Sequence, residues 1–84
     1  MKLLITKKAE KELDKLPDKL AKTIAGAILV LAQNPYPPNS KKLSGQNNYR
    51  LRVGSYRVLY TVDKKKREVV ILRIAHRHTI YRRF

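Results

Sequence analysis

The period of the hydrophobic residues changes midway along the chain, and this change restricts the possible folds more than any other feature. In the first half, apolar residues recur every three to four positions, as on one side of a helix. In the second half they alternate with polar residues. In the stretch YRLRV, one face carries Tyr49, Leu51 and Val53, and the other carries Arg50 and Arg52. A helical half followed by a β half predicts an α+β fold, in which helices cover one face of a mainly antiparallel sheet.

The first half predicts one strand and two helices. KLLIT, residues 2–6, is typical of a short strand. A first apolar stripe then predicts a helix that Pro17 interrupts, and a second stripe predicts a longer helix that ends near Asn34. The two stripes consist of Ala9, Leu13 and Leu16 and of Leu20, Ile24, Ile28 and Leu31. We expect these helices to form a hairpin.

The second half predicts three strands after a long connection. NPYPPNSKKLSGQNN, residues 34–48, is rich in Pro, Asn, Ser and Gly, which indicates a loop. A strand through YRLRV is followed by a turn at Gly54-Ser55 and a strand YRVLYTVD, in which Arg57 faces away from the tyrosines. EVVILRIA, residues 68–75, is apolar on both faces, as a central strand is. The predicted order is β-α-α-β-β-β in one domain, residues 1–84.

Charge is distributed unevenly along the chain. The net charge is +14, of which +11 lies in residues 41–84, and all eight arginines are in that half. The planar guanidinium group of arginine binds phosphate through two parallel hydrogen bonds, so we expect a phosphate-bearing partner. A basic face that serves only solubility is the alternative.

Several classes of site find little support in the composition. The chain has no cysteine and only two histidines, which disfavours a structural zinc site. No acidic residue occurs between Asp18 and Asp63, so a two-metal nuclease site has few carboxylates available. We expect no metal and no cofactor. The start, MKLLIT, is apolar for only three residues, so we expect no signal peptide. No stretch approaches the ~18 apolar residues of a membrane span, so we expect a cytoplasmic protein.

A cluster of functional side chains is expected on the face of the sheet that the helices leave open. Arg50 and Arg52 share this face with Arg57 of the neighbouring strand. The C-terminal stretch RIAHRHTIYRRF then places Arg77 and Tyr81 four residues apart, with His76 beside them. Arginines that stabilise a phosphate, together with a His or Tyr that moves protons, predict metal-free RNA cleavage, in which the 2′-hydroxyl attacks its own phosphate.

The stretches KKLSG, YRLRVGSYRVLYTV and VVILRIAHRHTIY closely resemble the RelE-type toxins of bacterial toxin–antitoxin pairs. The resemblance covers nearly the whole chain and implies the RelE-like, microbial-ribonuclease-like fold. It also implies an mRNA interferase that enters the ribosomal A site, contacts 16S rRNA, cleaves the mRNA codon there and is held inactive by a cognate antitoxin. We expect that antitoxin to present an acidic segment to the +14 domain.

The resemblance assigns roles to individual residues. It implies that Arg57 stabilises the phosphate, that Arg77 is a second catalytic arginine and that Tyr81 activates the 2′-hydroxyl. The general base remains open between Tyr81 and His76, because this chain has arginine where relatives often have lysine, and lacks the glutamate that some relatives use. We expect the remaining basic side chains of this region to bind RNA, namely Arg50, Arg52, Lys41, Lys42, Arg73, His78, Arg82 and Arg83.

Two other functions compete with this interpretation. A ParE-type toxin shares the fold but inhibits DNA gyrase through protein contacts, without nuclease activity. A non-catalytic RNA-binding protein would be expected to expose several aromatic side chains for base stacking. Only Tyr36 and Tyr81 are expected to be available for stacking here, since the other tyrosines fall on the core face.

Overall fold

The two predicted helices pack on one face of a mixed sheet, which confirms the α+β fold. The computed structural model describes residues 1–43 and 47–77, and in these ranges the sheet has five strands. The strands are β1 (Lys2–Ile5), β2 (Ser40–Lys42), β3 (Asn48–Val53), β4 (Tyr56–Asp63) and β5 (Glu68–His76). The helices are α1 (Lys7–Asp14) and α2 (Asp18–Gln33).

The strands lie in the order β1-β5-β4-β3-β2. Strand β1 is parallel to β5, while the other three pairs are antiparallel. In the sequence, the two helices follow β1 and precede the other four strands. The sheet is therefore mainly antiparallel, as expected, with one parallel pair at an edge.

The prediction of a loop over residues 34–48 was wrong in part, because β2 lies within it. Lys41 pairs with Arg50 and Lys42 pairs with Tyr49, which makes β2 an edge strand beside β3. A strand of three polar residues has no hydrophobic alternation to signal it. It exists because β3 offers backbone groups for pairing, a nonlocal condition that the local pattern does not contain.

The core lies between the helices and one face of the sheet. Helix α1 contributes Ala9, and α2 contributes Ile24, Ile28 and Leu31. The sheet contributes Leu51, Val58, Tyr60, Val62, Val69, Ile71 and Ile74. Tyr49, Val53 and Tyr56 pack against this core, so the face predicted for the tyrosines is confirmed. A small second cluster, Leu59 and Ala75 with Leu43 and Leu72, lies on the opposite face.

A β-bulge in the pairing of β4 with β5 changes which side chains of β5 face the core. Leu59 pairs with Arg73, but the next residue, Tyr60, pairs with Ile71, so Leu72 is the extra residue. An extra residue reverses the alternation of the side chains beyond it. Consequently Ile71 on one side of the bulge and Ile74 on the other both reach the core.

Thr6 joins the first strand to the first helix and attaches both to β5. Its hydroxyl oxygen accepts a hydrogen bond from the backbone N–H of Ala9 (3.1 Å), which caps α1. The same hydroxyl donates to the carbonyl of Leu72 (3.0 Å). Helix α1 therefore begins at the edge of β5, where β1 ends.

Candidate functional site

Four basic side chains line one cavity at the β2 edge of the sheet. The cavity has a volume of about 230 Å³, and its cationic residues are Lys41, Arg50, Arg52 and Arg57. Cross-strand pairing explains the grouping, since Lys41 is opposite Arg50 and Arg52 is opposite Arg57. The other lining residues are Pro38, Asn39 and Ser40. We call this the arginine cavity.

Arg57 is the most deeply buried of these cations. It is only 5% exposed, although the sequence led us to expect an arginine on an open surface. Its Nη1 atom donates to the carbonyl oxygens of Gly54 (3.0 Å) and Tyr56 (2.9 Å). The β3–β4 turn therefore holds one nitrogen of the guanidinium group, and the residue lines the cavity. A buried, oriented cation interacts more strongly with an anion than a solvated one does.

The electrostatics of the arginine cavity favour an anionic ligand. None of the seven residues that line it is acidic. Ser40 and Asn39 add polar groups beside the cations, and both are held in place. The Ser40 hydroxyl donates to the Pro37 carbonyl (2.6 Å), and the Asn39 side-chain amide donates to the Arg52 carbonyl (2.7 Å). Asn39 and Ser40 lie in the segment predicted to be a loop, and no sequence pattern marked them as site residues.

Arg77 lies near the turn that holds Arg57. Its backbone N–H donates to the Ser55 carbonyl (2.9 Å), and its side chain is exposed. The structure thus brings the chain at Arg77 back to the β3–β4 hairpin. The predicted site residues Tyr81, His78, Arg82 and Arg83 lie outside the described residues.

His76 is not brought to the arginine cavity. It pairs with Tyr56 across the sheet, and the two rings meet edge to face at 5.5 Å between centroids. Directly paired residues share a face, and Tyr56 packs against the core under the helices. Arg57, the next residue of β4, faces the other way. His76 and Arg57 therefore belong to opposite faces of the sheet.

Arg73 is engaged by a carboxylate from α1. Its Nη2 atom lies 2.9 Å from Oε2 of Glu12, and its Nε donates to the same carboxylate at 3.2 Å. Oε1 of Glu12 also accepts a hydrogen bond from the backbone N–H of Ile74 (2.9 Å). The two side chains are mostly buried, with 12% of Arg73 and 21% of Glu12 exposed. This contact attaches α1 to the edge of β5, and the charge pattern did not reveal it.

Lys42 faces away from the arginine cavity. It alternates with Lys41 along β2 and lines a second cavity of about 420 Å³ on the helix side of the sheet. That cavity also contains Tyr36 and Tyr49. The two adjacent lysines predicted to bind RNA thus lie on opposite faces of the sheet.

Metal-binding clusters and membrane-spanning helices are both absent from the part of the chain that the structure describes. Within residues 1–43 and 47–77, no group of three or more His, Asp or Glu side chains is placed to hold a metal ion. In the same ranges, neither helix has the length and apolar character needed to cross a bilayer.

Comparison with known proteins agrees with this architecture. The family described as "ParE toxin of type II toxin-antitoxin system, parDE" matches residues 3–81. Toxin RelG of Mycobacterium tuberculosis is 39% identical over 82 residues, which cover 93% of this chain and 92% of RelG.

Two crystal structures of toxin–antitoxin complexes share the fold. The archaeal RelE-RelB complex from Pyrococcus horikoshii matches with a TM-score of 0.82 and 30% identity, covering 90% of this chain and 93% of that one. The RelBE2 complex from Mycobacterium tuberculosis matches with a TM-score of 0.79 and 30% identity, covering 90% and 96%. The chain therefore belongs to the RelE/ParE superfamily, as a RelE-type toxin of a type II toxin–antitoxin system.

Proposed function

We propose that this toxin is a ribosome-dependent mRNA interferase, which cleaves mRNA in the ribosomal A site without a metal ion. The observation that carries the proposal is the arginine cavity, in which a buried Arg57 and three further cations face a space that no carboxylate lines. A DNA gyrase inhibitor that acts through protein contacts does not require such a cavity. An enzyme that must hold a phosphodiester and stabilise the charge on its phosphate during cleavage does require one.

In the proposed reaction, the 2′-oxygen of a nucleotide attacks the adjacent phosphorus and the bond to the 5′-oxygen breaks. The products are a 2′,3′-cyclic phosphate and a free 5′-hydroxyl. Negative charge increases on the non-bridging oxygens as the fifth bond to phosphorus forms. We propose that Arg57 stabilises this charge, and the two carbonyl oxygens that hold one of its nitrogens, those of Gly54 and Tyr56, support this role because they reduce the rearrangement needed. Arg50, Arg52 and Lys41 would hold the flanking phosphates.

One proton must leave the 2′-hydroxyl, and the departing 5′-oxygen must gain one, which we propose that solvent water supplies. We propose Tyr81 as the base. The backbone of Arg77 is bonded to the β3–β4 hairpin, which also holds Arg57, and Tyr81 follows Arg77 by four residues in the sequence. His76 is less suited, since its ring packs on Tyr56 on the other face of the sheet. Arg77 is proposed as a second cation for the phosphate. For Arg73 we propose a structural role, because Glu12 holds its guanidinium group.

We further propose that an antitoxin controls this activity. The complexes from Pyrococcus horikoshii and Mycobacterium tuberculosis pair related toxins with an antitoxin. A net charge of +14 favours an acidic partner segment that covers the arginine cavity. Action on ribosomes implies a cytoplasmic protein with 16S rRNA and mRNA as its binding partners.

The test is an in vitro translation reaction with purified toxin, followed by primer extension on the mRNA. We expect cuts at codons that occupy the A site. An Arg57→Ala variant should abolish these cuts, while Lys19→Ala, which removes an exposed lysine of α2 far from the cavity in sequence, should leave them unchanged. Equal cleavage by the Arg57→Ala variant would exclude the proposed role of Arg57.

A second candidate, inhibition of DNA gyrase, is favoured by the name of the matching family, which is that of a ParE toxin. A supercoiling assay distinguishes the two functions. Inhibition of gyrase by a preparation that does not cut mRNA during translation would replace the interferase proposal. RNA binding without cleavage or gyrase inhibition would instead favour a non-catalytic RNA-binding protein.

A further inference from the structure

The second cavity combines aromatic and basic side chains that the proposed reaction does not use. Tyr36, Tyr49, Lys42, Lys64, Lys65 and Asp63 are among the residues that line it, and we call it the tyrosine cavity. Its volume of about 420 Å³ is that of a typical small-ligand site. We propose that it binds an unpaired nucleotide of the RNA whose backbone passes through the arginine cavity. This inference rests on the proposed function, because it takes RNA as the ligand.

The aromatic part of the tyrosine cavity is a column of three rings that runs from the core to the surface. Tyr60, which is fully buried, stacks on Tyr49 at 5.6 Å with 21° between the ring planes. Tyr49 in turn contacts Tyr36 at 5.2 Å with a 55° tilt. Tyr36 forms the outer end of the column and is 41% exposed. An exposed ring supported from below is a surface on which a base can stack.

Tyr36 is held in place by its own segment, which lowers the entropic cost of binding. Its backbone N–H donates to Oδ1 of Asn34 (3.1 Å), and a proline stands on each side of it. The carbonyl of Pro35 accepts a hydrogen bond from the Tyr60 hydroxyl (2.7 Å). Pro37 is buried and its carbonyl accepts from the Ser40 hydroxyl. A ring fixed before the ligand arrives gains affinity through preorganisation.

The basic part of the tyrosine cavity is placed to contact a phosphate beside the stacked base. The ammonium group of Lys64 lies 5.8 Å from the centroid of the Tyr36 ring, within the range of a cation–π contact. Lys42 and Lys65 line the same space. The one acidic lining residue, Asp63, is engaged locally, because its Oδ1 accepts from the backbone N–H groups of Lys65 and Lys66 at 3.0 Å each.

Strand β2 connects the two cavities. Lys41 faces the arginine cavity and Lys42 faces the tyrosine cavity, because adjacent residues of a strand point to opposite faces. Strand β2 is the edge of the sheet, so a single-stranded RNA that bends around it can contact both faces. Duplex RNA cannot follow such a bend or offer an unstacked base, so the ligand must be single-stranded.

The test measures binding of a fluorescein-labelled, single-stranded 2′-O-methyl oligonucleotide, which cannot be cleaved because its 2′-oxygen is blocked. Fluorescence anisotropy is recorded at one fixed salt concentration. We expect Tyr36→Ala to weaken binding about ten- to hundredfold through loss of stacking, while Tyr36→Phe, which keeps the ring, binds like the unchanged protein. Circular dichroism checks that each variant is folded.

The β4–β5 turn offers a matched control that separates a specific lysine contact from the effect of net charge. Lys64 lines the tyrosine cavity, whereas Lys66, two residues along and also exposed, does not. Lys64→Ala should therefore weaken binding more than Lys66→Ala does. Equal losses would mean that only net charge matters and would overturn the proposal. A second readout is photo-crosslinking with an oligonucleotide that carries 5-iodouracil, for which we expect an adduct on Tyr36.

An Arg52→Ala variant separates this inference from the proposed function. If Arg52→Ala weakens binding and Tyr36→Ala does not, the inference fails and the arginine cavity stands as the RNA site. If Tyr36→Ala alone weakens binding, the tyrosine cavity stands as a nucleotide site, and the passage of the RNA backbone through the arginine cavity fails. If a Glu-rich peptide binds in a Tyr36-dependent way and the oligonucleotide does not, the tyrosine cavity serves an acidic protein partner and the inference is overturned.

Discussion

The guanidinium group of Arg57 and the carbonyl oxygen of Gly54 lie 3.0 Å apart, so the hairpin turn before β4 holds the cation that lines the arginine cavity. A second bond to the Tyr56 carbonyl restricts the group further. Both acceptors are backbone atoms. The position of Arg57 therefore depends on the geometry of the turn as well as on its own strand.

Arg57→Lys should lower single-turnover cleavage at the A site by at least about 100-fold, although it keeps the positive charge. Lysine has one nitrogen, which cannot both bond the turn and contact the phosphate as a planar fork does. Single-turnover cleavage on programmed ribosomes is the measurement. Arg52→Lys, at an exposed position, is the control and should lose less. A fully active Arg57→Lys variant would show that charge alone suffices.

Gly54→Ala should lower the free energy of unfolding by about 1 kcal/mol, because Gly54 has a φ of 57° and alanine is strained in this left-handed region. Gly26→Ala is the matched control in α2. Gly26 is exposed, and apart from its chain neighbours and the backbone of its own helix no atom lies within 4 Å of an added Cβ. We expect it to raise stability by roughly 0.5–1 kcal/mol, as alanine does in a helix. Urea unfolding of both variants checks the opposite signs, and a stabilising Gly54→Ala would contradict the turn geometry.

Glu12 and Arg73 should be strongly coupled in stability. A double-mutant cycle with Glu12→Ala and Arg73→Ala should give a coupling energy of about 1–2 kcal/mol, because the pair is mostly buried and makes several hydrogen bonds. Chemical denaturation provides the energies. Arg73→Ala should leave cleavage per folded molecule unchanged. Reduced cleavage at full folding would instead support the RNA-binding role that the sequence predicted for Arg73.

Tyr60→Phe should destabilise the protein by about 1 kcal/mol at pH 8, because the buried hydroxyl donates to the Pro35 carbonyl. Burial raises the pKa of Tyr60 above its ordinary value of 10.0. The folded protein thus holds this proton more tightly than the unfolded chain, and the stability it contributes is present below pH 10 and lost as pH rises through the raised pKa.

The difference in unfolding free energy between the unchanged protein and Tyr60→Phe should therefore shrink above about pH 10. All other ionisable groups are the same in both proteins, so their effects cancel in the difference. Urea unfolding at several pH values between 8 and 11 is the measurement. A difference that stays constant over this range would argue against a buried, neutral Tyr60.

Much of this fold could be predicted from the sequence alone, because apolar residues recur with the period of a helix in the first half and of a strand in the second. The stripes from Ala9 to Leu31 predicted both helices and their core faces, since an amphipathic face is a local property of the chain. Alternation in YRLRV and YRVLYTVD placed Arg50, Arg52 and Arg57 on one face for the same reason. The grouping of these three arginines therefore follows from local alternation and the hairpin turn between the two strands.

Other features depended on contacts between residues far apart in sequence, and only the tertiary structure decided them. The bulge at Leu72 reversed the alternation of β5 and put His76 on the face opposite Arg57. Glu12, 61 residues from Arg73, forms an ion pair with this arginine, which the sequence predicted to bind RNA. Pairing with β3 made a strand of Ser40–Lys42 and so created both cavities. Periodicity describes which neighbours a residue has along its own element, whereas register, bulges and ion pairs are set by the partners that folding brings beside it.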